Sequence, residues 1–99
     1  MAIERLVGLF VTNDDLYQAY REGMIPILKS FRGSFGYDFK VSEVLVSEVE
    51  TPINRVFTIF FENENDMHSF FSNEKYLEVR NKFFKPSVSA TTIIAKYER

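Results

Sequence analysis

Two spacings of apolar residues take turns along this chain. Ile3, Val7, Leu9 and Val11 stand against Leu6 and Phe10 in an alternation that predicts a buried strand. Thr12-Asn13-Asp14-Asp15 then offers an N-cap and acidic first-turn residues that oppose the positive end of a helix dipole. Leu16, Tyr20, Met24, Ile27, Leu28 and Phe31 recur at spacings of three and four, one face of an amphipathic helix. Pro26 removes a donor inside it, which predicts a kink rather than a stop. Gly33 is expected as its C-cap. Phe35, Tyr37, Phe39 and Val41 alternate with Gly36, Asp38, Lys40 and Ser42, a half-polar strand suited to a sheet edge. Val44, Leu45 and Val46 would prolong it after a bulge near Glu43.

A polar stretch from Ser47 to Asn54 turns into a third strand from Arg55 to Phe61. Phe57, Ile59 and Phe61 point one way and Val56, Thr58 and Phe60 the other, so both faces are apolar but for one threonine. Asn63 or Asn65 caps a second helix with Met67, Phe70 and Phe71 on its inner face. Ser72-Asn73-Glu74 reads as a break and a fresh cap ahead of Tyr76, Leu77, Arg80, Phe83 and Phe84. Lys85-Pro86 ends that helix, and residues Val88 to Tyr97 form the last strand.

The order β-α-β-β-α-β predicts an α+β, ferredoxin-like domain over residues 1–99 with a four-stranded antiparallel sheet. Right-handed crossovers place the first and third strands in the centre. Those are the two strands that are apolar on both faces. One helix layer covers one face only, so the other calls for a second subunit. The expectation is a homodimer, sheet facing sheet, with an interface of about 1,600 Å² in total.

Composition narrows the chemistry. Eleven Phe and five Tyr in 99 residues can fill a core, an interface or an apolar pocket. A net charge of −2 disfavours a surface that tracks phosphates. Leu9-Phe10-Val11 and residues 55–61 superficially resemble the two motifs of an RNA-recognition module. Val56, however, stands where that module needs a small residue so that bases can lie on the sheet. No nucleic-acid partner is expected. With no cysteine there is neither a disulfide framework nor a thiolate metal site. The apolar run Leu6 to Val11 is too short for a secretory or spanning segment, so the reading is cytoplasmic, with no membrane partner.

Nearly end to end, short motifs match a known family. They are Val11-Thr12-Asn13, Pro26-Ile27-Leu28, Arg32-Gly33, Glu43-Val44-Leu45, Arg55 opening the third strand, and Ser72-Asn73-Glu74-Lys75-Tyr76 followed by Arg80. In these the chain resembles the dimeric α+β barrel superfamily, and within it the family called domain of unknown function 1330. It departs at Phe60, where members often carry an acidic residue, and at Arg32-Gly33, where a double glycine is usual. The resemblance implies a homodimer with a cleft between sheet and helices, and no established reaction. Cousins in the superfamily include cofactor-free monooxygenases, isomerases and haem enzymes.

No catalytic or metal motif is visible, and no catalytic residue, metal or cofactor is assigned. The candidates for ligand binding are Tyr20, Asp38, Arg55, Tyr76 and Arg80. Tyr17, Tyr20, Tyr37 and Tyr76 either line an apolar pocket with polar tips or are core tyrosines. Arg80, one turn from Tyr76, either clamps an anionic ligand or serves its own helix. Asp38 with Arg55 makes either a proton-handling pair or a cross-strand ion pair. Gly8 with Thr58 leaves room for a ligand or for a partner's ring. His68, the one histidine, lies off the apolar stripe and reads as a surface residue. Three function classes stay open. They are a dimer that binds a small apolar or aromatic metabolite, a cofactor-independent enzyme of the monooxygenase or isomerase kind, and a non-catalytic sensing or scaffold protein.

Overall fold

A computed structural model describes residues 1–99. The elements in chain order are β1 (Ile3–Val11), α1 (Asp14–Ser30), β2 (Ser34–Lys40), β3 (Arg55–Phe61), α2 (Glu64–Ser72), α3 (Glu74–Val79), a π-helical turn (Arg80–Phe84) and β4 (Val88–Glu98). The strands form one antiparallel sheet in the order β2-β3-β1-β4, so the two doubly apolar strands are central, as their pattern requires. The fold is ferredoxin-like, with the second helical segment divided in two.

Asparagine begins all three helices. The side-chain oxygens of Asn13, Asn63 and Asn73 accept the N–H groups of Leu16, Asp66 and Tyr76 at 3.1, 2.8 and 3.1 Å. Each satisfies a donor that the first helical turn leaves free. Asn73 also explains the division between α2 and α3, because its extended backbone stops one helix and its side chain starts the next. α1 runs unbroken through Pro26. Its buried face is Tyr17, Tyr20, Met24 and Leu28. Tyr20, Met24 and Leu28 belong to the expected stripe, whereas Tyr17 joins it and Leu16, Ile27 and Phe31 are only half-buried. The expected role of Gly33 also needs correction. Arg32, not Gly33, takes the left-handed conformation (φ 58°), and the Gly33 N–H closes the helix on the Leu28 carbonyl at 2.9 Å. Glycine is needed at 33 for space, since a Cβ there would run into Leu28 Cδ1 and stand 3.0 Å from the Phe61 ring.

The core lies between the sheet and the helices, where Phe61, Met67 and Phe70 are fully buried. Phe70 is its hub. Its ring centroid lies 4.3 Å from Tyr76, 5.0 Å from Phe71, 5.6 Å from Phe61 and 6.3 Å from Phe31.

β2 departs most from its pattern. Its register to β3 shifts between Phe35 and Asp38, so Phe35 and Asp38 both face the helices while Tyr37 and Phe39 lie on the outer face. The alternation that would align Phe35, Tyr37 and Phe39 is broken by this bulge. Thr58 holds it, because its Oγ1 accepts the Tyr37 N–H at 2.9 Å. A Cβ on Gly36 would come within 2.6 Å of that same oxygen. Residues 41–54 form no strand, so Val44, Leu45 and Val46 do not prolong β2. The loop is tied back by Asn54, whose side chain makes two bonds of 2.8 Å to the backbone of Val11.

Candidate functional site

Between the sheet and the helices a cleft of about 240 Å³ opens against the inner faces of β1 and β3. Val7, Leu9, Phe57 and Ile59 form its floor. Tyr17, Tyr20 and Met24 of α1 form one wall, and Phe71, Tyr76, Arg80 and Phe84 another. Phe35, paired with the inward-facing Ile59, reaches in, and Arg5 with Thr91 and Ile93 of β4 completes the lining. The π-helical turn matters here. Its Lys85 N–H reaches back five residues to the Arg80 carbonyl at 3.0 Å. Arg80 and Phe84, four residues apart, share one face of the turn, with the guanidinium 5.6 Å from the ring centroid.

The polar groups of the cleft are phenols, guanidiniums and the hydroxyl of Thr91. The hydroxyls of Tyr20 and Tyr76 hydrogen-bond at 3.0 Å. Burial pushes the phenols of Tyr17, Tyr20 and Tyr76 above their ordinary value, and the charge of Asp38 adds to the effect at Tyr17. At neutral pH such phenols stay protonated, and a guanidinium carries no acceptor. The lining therefore binds and donates hydrogen bonds but offers no strong proton acceptor.

The candidate residues divide between two places. Tyr20, Tyr76 and Arg80 line the cleft together. Asp38 and Arg55 lie outside its lining, joined in an ion pair on the helix side of the sheet. Arg55 donates to both carboxylate oxygens of Asp38 at 2.8 and 3.2 Å. The Nε of Arg21 stands 3.0 Å from Asp38 Oδ2, close enough for an ion pair but without hydrogen-bond alignment. One carboxylate thus sits between two guanidiniums, and the Arg55 guanidinium also covers the Tyr17 ring at 4.9 Å. The arrangement is a cross-strand ion pair with a helix residue added. Asp38→Ala would leave the two arginines facing each other, with Arg55 only 11% exposed. It is expected to cost about 3 kcal/mol, seen as a lower denaturant midpoint. An unchanged midpoint would show that the pair carries no stability.

The other candidates lie elsewhere. Tyr37 is 65% exposed on the outer face beside Phe39 and is not a pocket residue. Gly8 and Thr58 also belong to the outer face. Ile53 and Ile94 pack over Gly8, and Thr58 serves the bulge, so neither opens into the cleft. His68 is exposed. Arg5 was not among the candidates, although a signal existed, since it occupies the inner-face set Ile3, Val7, Leu9 of a buried strand. No group of three or more metal-ligating side chains gathers anywhere. No helix is long and apolar enough to cross a membrane.

No protein-family model matches the chain, and no curated protein sequence does. Solved structures match its fold. A protein of unknown function from Rhodopseudomonas palustris superposes with a TM-score of 0.82 at 14% identity, over 99% of this chain and 82% of that one. A dabb family protein with a ferredoxin-like fold from Mesorhizobium loti gives 0.68 at 13% identity, over 99% and 96% of the two chains. A dimeric protein of unknown function and ferredoxin-like fold from Bacteroides fragilis gives 0.66 at 11% identity, over 99% and 96%. At such identities the likeness is one of fold.

Proposed function

We propose that this chain works as a homodimer in which each copy holds a small apolar or aromatic molecule in the cleft between its sheet and its helices. The observation that carries the binding role is the cleft itself, an aromatic-walled space whose few polar groups converge on it. Its volume of about 240 Å³ lies just below the usual ligand-site range, which starts at about 300 Å³, and suits nothing larger than a single-ring compound. Binding rather than catalysis is the favoured role because the lining offers hydrogen-bond donors and no strong general base.

The dimer rests on the outer face of the sheet. Phe39 and Ile94 are 55% and 48% exposed there, and Leu45 and Val46 of the adjoining loop are more than four-fifths exposed. The helices cover the opposite face, so a second copy presenting the same surface is the occupant that fits. The Bacteroides fragilis neighbour described as dimeric supports this reading, as does the resemblance to the domain of unknown function 1330 family.

Sedimentation equilibrium is expected to give a dimer. The double variant Phe39→Glu/Ile94→Glu should be a monomer with unchanged far-UV circular dichroism. A monomeric parent at high concentration would overturn the assembly. For the cleft, single-ring aromatic compounds screened by NMR should bind the parent and lose binding in Thr91→Trp, which obstructs the cleft from an exposed lining position. Equal binding to both proteins would place the compounds elsewhere and remove the cleft from consideration.

A further inference from the structure

We propose that the natural ligand is a small monocarboxylate with an aromatic or aliphatic body, its carboxylate held by Arg5 and Arg80. This rests on the cleft as a binding site and adds the charge of what it binds. The argument begins with how the chain treats its arginines. Arg21 and Arg55 meet Asp38, Arg32 meets Asp66 and Glu62, and Arg99 meets Glu4, all within 4.0 Å. Arg5 and Arg80 have no carboxylate within that distance, and they are the two that line the cleft. The carboxylate that acts on Arg5 from farther away, Glu64, is held by Lys96 at 2.8 Å.

Neither guanidinium is simply left in water. Both residues are half-buried, and each rests over a ring, Arg5 at 5.1 Å from the Phe71 centroid and Arg80 at 5.6 Å from that of Phe84. The Nε of Arg5 is buried with no hydrogen-bond partner. A charge removed from water without a counter-ion is unfavourable, and an unmet buried donor adds to that cost. An anionic ligand would relieve both.

A third donor is at hand. In the Tyr20–Tyr76 pair one hydroxyl hydrogen serves the other oxygen, which leaves the second hydrogen free for a ligand oxygen. Two planar guanidinium forks and one phenol suit the two coplanar oxygens of a carboxylate. The small apolar space beside them suits a ring or a short branched chain better than a sugar or a nucleotide.

The test titrates the protein with benzoate and 3-phenylpropanoate against benzamide and 3-phenylpropanamide, followed by calorimetry and by NMR of the cleft residues. One of the acids should bind at least tenfold more tightly than its amide. Arg5→Met and Arg80→Gln, each made separately, should reduce that preference to within twofold while amide binding stays as it was. Lys85→Gln, which removes a nearby exposed charge, should leave the preference intact. If acid and amide bind the cleft equally, the anion proposal is overturned and the cleft stands as a site for neutral molecules. Tighter binding of phenyl phosphate than of either acid overturns the carboxylate assignment. If none of these compounds perturbs the cleft, the site and the proposal fall together.

Discussion

Phe70→Ala is expected to destabilise the protein by about 3–5 kcal/mol, the range for removing a large ring from a packed core. The size follows from position. Phe70 is fully buried and its ring packs with four other aromatic side chains, from the end of α1, β3, α2 and α3. Removing it takes away a large apolar area and leaves a space that Phe31, Phe61, Phe71 and Tyr76 can close only by leaving their own rotamers. For a chain of this length the melting temperature should fall by more than about 10 °C. Leu77→Ala is the control, since Leu77 is 36% exposed on the next helix and should cost far less. Because Tyr76 and Phe71 wall the cleft, the variant should also bind cleft ligands more weakly under conditions where it is still folded. Equal midpoints for Phe70→Ala and Leu77→Ala would refute the central place given to this ring.

Alkaline pH should unfold the protein, with three tyrosines as the cause. Burial raises the phenols of Tyr17, Tyr20 and Tyr76 above 10.0, and their mutual proximity raises Tyr20 further. In the unfolded chain these groups release their protons near 10.0, whereas the folded chain keeps them. Their contribution to stability is therefore complete below that pH. Above it the unfolded state binds fewer protons, and stability falls by about 1.4 kcal/mol per pH unit for each group. Three together remove about 4 kcal/mol per unit, which a domain of ordinary stability withstands over a few units at most. Phenolate absorbance and far-UV circular dichroism, followed together, should show the buried phenols ionising only as the fold is lost. Tyr20→Phe should reduce the slope by about a third. Ionisation of all five tyrosines with the dichroism intact would contradict the burial of these rings.

The element order was legible because it depends on local chemistry. The period-two and period-3.6 runs and the Asn13, Asn63 and Asn73 caps each act within a few residues, and they need no tertiary contact to be read. Even the doubly apolar β1 and β3 announced their central places. Three of the five candidate residues, Tyr20, Tyr76 and Arg80, line one cleft. The C-cap differs from the expectation because Arg32 adopts the left-handed turn that a glycine usually takes, while Gly33 answers to crowding by Leu28 and by the Phe61 ring of a distant strand.

What the chain determined by itself is therefore its order of strands and helices and its surplus of apolar sheet surface, since both are consequences of neighbouring side chains and backbone preference. Only the tertiary structure decided which way the key polar groups face. The β2 bulge depends on a hydroxyl from β3, and it turns Asp38 toward Arg21 and Arg55 rather than leaving it in an alternating edge strand. Arg5 and Arg80 come from opposite ends of the sequence, and no local spacing connects them. They share a cleft because the packing of the helical layer on the sheet brings β1 and the residue that follows α3 to the same space.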